Sequence, residues 1–139
     1  MMALFRKDGT QGTLDSLIGS SVVIRGNVEF EGGLRIDGHV YGEVRGRADQ
    51  KTLLVLSETA VVTGGIQATH LVINGTVEAN LVSGELVELQ AHARIKANVA
   101  YRALEMQSGA VVEGQLSVVQ EGKDQVESNS TFSSLSENT

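Results

Sequence analysis

The chain has 139 residues, with 11 basic against 17 acidic side chains and a net charge of −6, a balance that argues against nucleic acid as a ligand, since that needs a basic face. It has no cysteine, which excludes disulfides, thiolate metal sites and cysteine nucleophiles, and makes the cytoplasm the expected compartment for so small a chain. Proline is absent and aromatics are only 4%, while glycine numbers 16, so the core is expected to be built from branched aliphatic side chains on strands whose backbone ladder is never interrupted.

Residues 1–15 read as a flexible N-terminal tail. Its opening, Met1-Met2-Ala3-Leu4-Phe5-Arg6-Lys7, lacks the long apolar core and small-residue cleavage site of a signal peptide. No apolar run in the chain approaches the roughly 18–20 residues that span a bilayer. Met2, Leu4 and Phe5 are suited to insert into a lipid surface while Arg6 and Lys7 meet anionic headgroups, so these five residues form a candidate membrane-targeting segment.

From Val22 the chain alternates. Val22, Ile24, Val28, Phe30, Leu34, Ile36, Val40 and Val44 fall on one side with Gly26, Gly32, Gly38 and Gly42, and polar residues such as Arg25, Glu29, Arg35 and Asp37 fall on the other. This period of two is the mark of strands with one face inward, and it runs far beyond a typical strand of about 5–6 residues. The inward glycines mark bends. A longer repeat is superimposed. Its second apolar residue recurs at Ile36, Leu56, Ile73, Leu89 and Met106, spacings of 20, 17, 16 and 17. The long first interval is assigned to a polar surface loop, Arg45 to Thr52. A unit of this size is too short for a pair of helices and suits one coil of a β-solenoid. Each coil advances about 4.8 Å, the spacing of neighbouring strands, so about six coils of triangular section, between residues 16 and 119, make a rod about 30 Å long. A β-sandwich would be dominated by hairpin turns, yet Asn74-Gly75 lies inside the alternation. The expected fold is thus all-β, a single parallel β-helix.

Residues 120–139 carry Ser128, Ser130, Ser133, Ser134 and Ser136 with few apolar residues, and read as a disordered C-terminal tail. The expected catalytic, cofactor-binding and metal residues are none. His39 and His92 each follow a repeat core residue by three positions, which places them on one outward column three coils apart, about 14 Å by strand spacing; His70 falls on another column. One subunit therefore cannot gather them on a zinc ion, whose ligands lie about 2 Å away. Gly64-Gly65 is not followed by the Lys-Ser/Thr of a phosphate-binding loop, and no Gly-x-Ser-x-Gly nucleophile elbow occurs. Left-handed β-helix acyltransferases are the enzyme alternative, but their strict six-residue repeats are broken by the spacings here.

The rod's ends are the expected functional surface. A solenoid exposes unpaired backbone and a slice of core at each end, and needs polar caps to stay solitary. Here the first coil stays apolar through Leu17, Ile18, Val22 and Ile24, and the last through Val112, Leu116 and Val118. These residues are the candidate polymerisation interface. Alternating isologous contacts and head-to-tail stacking both remain open on sequence grounds.

Ile36-Asp37-Gly38-x-Val40-x-Gly42, then Ala60-x-Val62-x-Gly64-x-Ile66-x-Ala68, then Ala110-Val111-Val112-Glu113-Gly114 together resemble the bactofilins, bacterial polymer-forming cytoskeletal proteins, over residues 16–119. The resemblance implies a right-handed β-helix between disordered tails. It implies end-to-end polymerisation without nucleotide or cofactor, with head-to-head and tail-to-tail contacts alternating. It further implies attachment through the N-terminal tail to lipid at the inner face of the cytoplasmic membrane. The partners implied are the chain itself, inner-membrane lipid and peptidoglycan-remodelling or other cell-envelope proteins of the shape-determining machinery, and no enzymatic activity. The chain departs from the family at Val112, where a Phe often precedes Glu-Gly, which makes the end less aromatic. A monomeric β-solenoid binding module is the alternative outside the resemblance.

Overall fold

Residues that alternate inward and outward for this long form strands, and sixteen result among the described residues. The computed structural model describes residues 14–119, which hold strands and turns and no helix. The first coil is β1 (Ser16–Ile18), β2 (Val23–Arg25) and β3 (Val28–Phe30), and the second is β4 (Gly33–Ile36), β5 (His39–Tyr41) and β6 (Glu43–Gly46). β7 (Leu53–Leu56) and β8 (Val61–Val62) lead into β9 (Gly65–Ile73), which closes the third coil and opens the fourth. β10 (Thr76–Val77) leads into β11 (Leu81–Leu89), which closes the fourth and opens the fifth. β12 (Arg94–Ile95) and β13 (Val99–Tyr101) complete the fifth coil, and β14 (Ala103–Met106), β15 (Val111–Val112) and β16 (Leu116–Val118) form the sixth.

All pairings are parallel and link one coil to the next. The first face is β1, β4, β7, the second half of β9, the second half of β11, and β14. The second face is β2, β5, β8, β10, β12 and β15. The third is β3, β6, the first halves of β9 and β11, then β13 and β16. The six-coil β-helix expected from the repeat is therefore the fold.

Register stacks like upon like. Ile18, Ile36, Leu56, Ile73, Leu89 and Met106 form one inward column of the first face. Ile24, Val40, Val62, Val77, Ile95 and Val112 form that of the second. Val28, Val44, Ile66, Leu81, Val99 and Leu116 form that of the third. In coils two to five every member of these columns is buried, each contributing about 1.5–3 kcal/mol by removal from water.

At the third corner the inward column is Phe30, Gly46, Ala68, Ser83, Tyr101 and Val118. The space that Gly46 leaves is filled by the side chain of Thr52. Thr69 Oγ1 accepts the Thr52 N–H at 3.1 Å, Thr52 Oγ1 accepts the Thr69 N–H at 3.2 Å, and Ser83 Oγ donates to the Thr69 carbonyl at 2.9 Å. The buried hydroxyls of Thr52 and Ser83 are thereby satisfied. The polar loop is shorter than the sequence suggests. Arg45 and Gly46 belong to β6, in register with Glu29 and Phe30, so the excursion is Arg47 to Thr52. Polar as they are, an outward arginine and an inward glycine continue the alternation and suit a strand.

The first corner comes in two lengths. Three residues separate Ile36 from Val40 and Ile73 from Val77, whereas five separate Leu56 from Val62 and Leu89 from Ile95. The short corners carry Gly38 and Gly75, and the long ones Ala60 and Ala93, in one column. The short path forces close approach. A Cβ on Gly38 would overlap the carbonyl oxygens of Gly19 and Val22, and one on Gly75 those of Ser57 and Ala60. These carbonyls accept or flank ladder bonds, such as His39 N–H to the Val22 oxygen at 3.1 Å, and have little freedom to retreat. Gly38→Ala and Gly75→Ala are each expected to lower stability by about 1–3 kcal/mol, the usual cost of overpacking, as read from urea unfolding. A loss below about 0.5 kcal/mol, the scale of inert surface changes, would show the short corner to be plastic.

Candidate polymerisation surfaces

The columns end abruptly. Within the first-face column Ile36, Leu56 and Ile73 are 0% exposed and Leu89 1%, but Met106 in the last coil is 46% exposed. Val118, closing the third-corner column, is 48% exposed, and Val22, heading the first-corner column, is 40% exposed. Ile18, Ile24, Val28, Leu104, Ala110, Val112 and Leu116 are partly buried against the core. Each end is thus a slice through the hydrophobic core. The first coil presents Ile18, Val22, Ile24 and Val28 beside buried Phe30, and the last presents Leu104, Met106, Ala110, Val112, Leu116 and Val118. Among the described residues β1, β2 and β3 pair on one side only, as do β14, β15 and β16. A strand edge of that kind is a template for further pairing.

The structure gathers most of the residues anticipated at the ends. Ile18 and Ile24 point inward on the first coil, Val22 sits at its corner, and Val112, Leu116 and Val118 point inward on the last. Leu17 is placed differently. It pairs with Arg35, on the outward column of the first face, and is 62% exposed. It borders the end instead of lying in the core slice. Val28, Phe30, Leu104, Met106 and Ala110 were missed. Their signal was present, because Leu104 and Met106 open the last repeat unit and Ala110 is its small corner residue. The candidate membrane-targeting residues Met2, Leu4, Phe5, Arg6 and Lys7, and the tail 120–139, lie outside the described residues.

The expectation that His39 and His92 share a column is corrected. His39 lies on β5 opposite Val61 and its ring centroid is 6.1 Å from that of Tyr41. His92 lies in a long first corner, where its N–H donates to Asn74 Oδ1 at 2.9 Å. Counting a constant three residues from the core position ignores the two corner lengths. His70 Nε2 lies 3.0 Å from Glu88 Oε2 on the outside of the first face. Among the described residues no three His, Asp or Glu side chains are grouped to hold a metal. An open groove of about 520 Å³ along the first corner is lined by hydroxyls, amides and carboxylates, including Ser57, Thr59, Asn74, Asp37 and Glu58. No described helix is long and apolar enough to cross a membrane.

Comparison with known proteins agrees with this geometry. The family described as "Bactofilin: Polymer-forming cytoskeletal" matches residues 16–117, from the first strand into the last. The chain is similar to a protein named Bactofilin BacO from Myxococcus xanthus (strain DK1622), at 28% identity over 102 residues, which cover 73% of this chain and 78% of that protein. No solved structure matches the chain.

Proposed function

The chain belongs to the bactofilin family of polymer-forming cytoskeletal proteins, and on that premise we propose that it polymerises end to end, without nucleotide, into a scaffold at the inner face of the cytoplasmic membrane that positions cell-wall or cell-shape machinery. The observation that carries the polymer reading is the pair of apolar core slices at the rod's ends. Stacked end to end, the two slices bury that apolar surface against each other, and strand edges add backbone hydrogen bonds to the contact. Electron microscopy of the purified full chain without nucleotide tests it. Filaments are expected, and a strictly monomeric protein at high concentration would contradict the reading.

Membrane attachment is supported by the composition of residues 2–7. Leu4 and Phe5 each contribute at most about 1.5–3 kcal/mol when buried in lipid, so one tail binds weakly. A filament presents many tails, and multivalency raises avidity by roughly 10²–10⁴. Deletion of residues 2–7, or Phe5→Glu, is expected to release the protein from pelleted anionic liposomes while filaments persist. Equal co-sedimentation of variant and wild type would refute the anchor. The envelope machinery is proposed as cargo on the family relation alone.

A further inference from the structure

We propose that Arg94 is a positioning residue for the end contact, which ties down the corner of the last coil so that the end slice keeps one shape. The inference rests on the polymer reading above and names a side chain outside the slice that prepares it. What carries it is a contact that crosses from the fifth coil to the sixth. Arg94 stands on β12, and its Nη1 donates to the Ala93 carbonyl at 2.9 Å and to the Gly109 carbonyl at 2.9 Å. Hydrogen bonds from a charged donor are stronger than neutral ones.

The last coil depends on such a tie. Its first corner is a long one, with five residues between Met106 and Val112. The two other long corners are each bonded to the coil before them through their middle residue. Thr59 Oγ1 donates to the Asp37 carbonyl at 2.7 Å, and the His92 N–H donates to Asn74 Oδ1 at 2.9 Å. In the last corner the middle residue is Gly109, which has no side chain and a φ of 103°. Arg94 supplies the bond from below. The corners of coils three and five are also covered from above. The Thr76 N–H donates to the Ala60 carbonyl at 3.0 Å, and the Val111 N–H to the Ala93 carbonyl at 3.0 Å. Among the described residues no coil follows the last corner.

The same backbone series shows what the tie sets. Val22, Gly38, Ala60, Gly75 and Ala93 each give a carbonyl to an N–H of the next coil, at 2.9 to 3.1 Å. Ala110 holds the next place in that column, one residue before β15. Its carbonyl is therefore the acceptor that a stacked protomer would meet, and its methyl belongs to the slice. One peptide plane joins Gly109 to Ala110. Arg94 holds the carbonyl of that plane, and its N–H, that of Ala110, donates to the Gln107 carbonyl at 3.1 Å. With both groups bonded, the plane cannot turn, and Ala110 is aimed before a partner arrives. A contact surface set in advance loses less freedom on association.

The test uses the full-length chain. Arg94→Met keeps an apolar stem and removes the donors. Lys51→Met removes the same charge from a side chain paired with Glu85, away from both ends. Arg94→Met should raise the concentration needed for assembly by about tenfold, equivalent to about 1.4 kcal/mol. The thermal melt of the unassembled protein should stay at the wild-type temperature. Below the assembly concentration, the Ala110 and Val111 amides should exchange hydrogen faster by the same factor, while the Val77 amide keeps its wild-type rate. Arg94→Lys, which retains a charged donor, should fall between Arg94→Met and wild type in both readouts. Lys51→Met should assemble like wild type. The proposal is overturned if Arg94→Met assembles like wild type, or if Lys51→Met weakens assembly equally. It is also overturned if the loss of assembly comes with an equal loss of melting stability, which would make Arg94 a support of the fold alone. Wild-type protein that forms no filaments would overturn the polymer reading, and the role of Arg94 in assembly with it.

Discussion

Val112→Arg is expected to abolish long filaments and leave a folded protein. Val112 closes the second-face column, pairs with Ile95 on one side, and is only partly buried. An arginine at the rod's end can lay its stem on the apolar slice and hold its guanidinium in water. The monomer is therefore little affected. In a filament the same charge is enclosed, either against its own symmetry copy or against the first coil of the next protomer. An uncompensated buried charge costs about 3–5 kcal/mol, and each 1.4 kcal/mol is tenfold in affinity, so the concentration needed for assembly should rise by about 100-fold or more. Met106→Arg, at the exposed end of the first-face column, should behave alike. Sedimentation and electron microscopy read the filament, and circular dichroism reads the fold. If both variants keep native dichroism and still assemble like wild type, the last coil is not a contact and the end-to-end scheme is wrong for it.

Val77→Arg should instead destroy the fold. Val77 is 0% exposed on β10, stacked between Val62 and Ile95 in the middle of the rod. No end is near, so the guanidinium has no route to water. The buried charge, about 3–5 kcal/mol, adds to overpacking of about 1–3 kcal/mol. Together they approach the whole stability of an ordinary domain, about 5–15 kcal/mol. Loss of the cooperative melt is the expected result. The neighbouring change Glu78→Arg points outward and should shift stability by no more than about 0.5 kcal/mol. A Val77→Arg protein that melts like wild type would mean that the inward column is not a packed core. The contrast between adjacent positions tests the alternation on which the fold rests.

That alternation is why so much of the molecule could be read from its sequence. Whether a side chain points in or out of a strand depends only on its parity, and parity is local. The apolar set Ile36, Val40, Val44, Leu56, Val62 and Ile66 therefore appears in the sequence as it appears in the core. A coil is also short and stacks on its immediate neighbours, so the repeat spacing is visible in the chain. The ends followed in part, because a solenoid that begins at Ser16 with Ile18 and closes with Val112 has core residues in its terminal coils whatever its detailed path.

What the sequence did not determine was phase across corners and loops. Ile36 and Leu89 hold the same place in the first-face column, yet the corner after one has three residues before Val40 and the corner after the other has five before Ile95. The added pair preserves parity, so the pattern of alternation is blind to it. A constant count from the core position therefore aligns His39 with His92, which the structure places in different columns, and Leu17 has the wrong parity for the core slice that holds Ile18. Which outward residues share a face is likewise absent from the linear order. Gln67, Val82, Ala100 and Ser117 are separated in sequence by 15, 18 and 17 residues, and become one column only through the pairing of β9, β11, β13 and β16. The sequence by itself determined the period, the core and the existence of two apolar ends. The tertiary structure decided which outward residues share a face, because coil-to-coil hydrogen bonding sets the register and corner length shifts it without leaving a mark on the alternation.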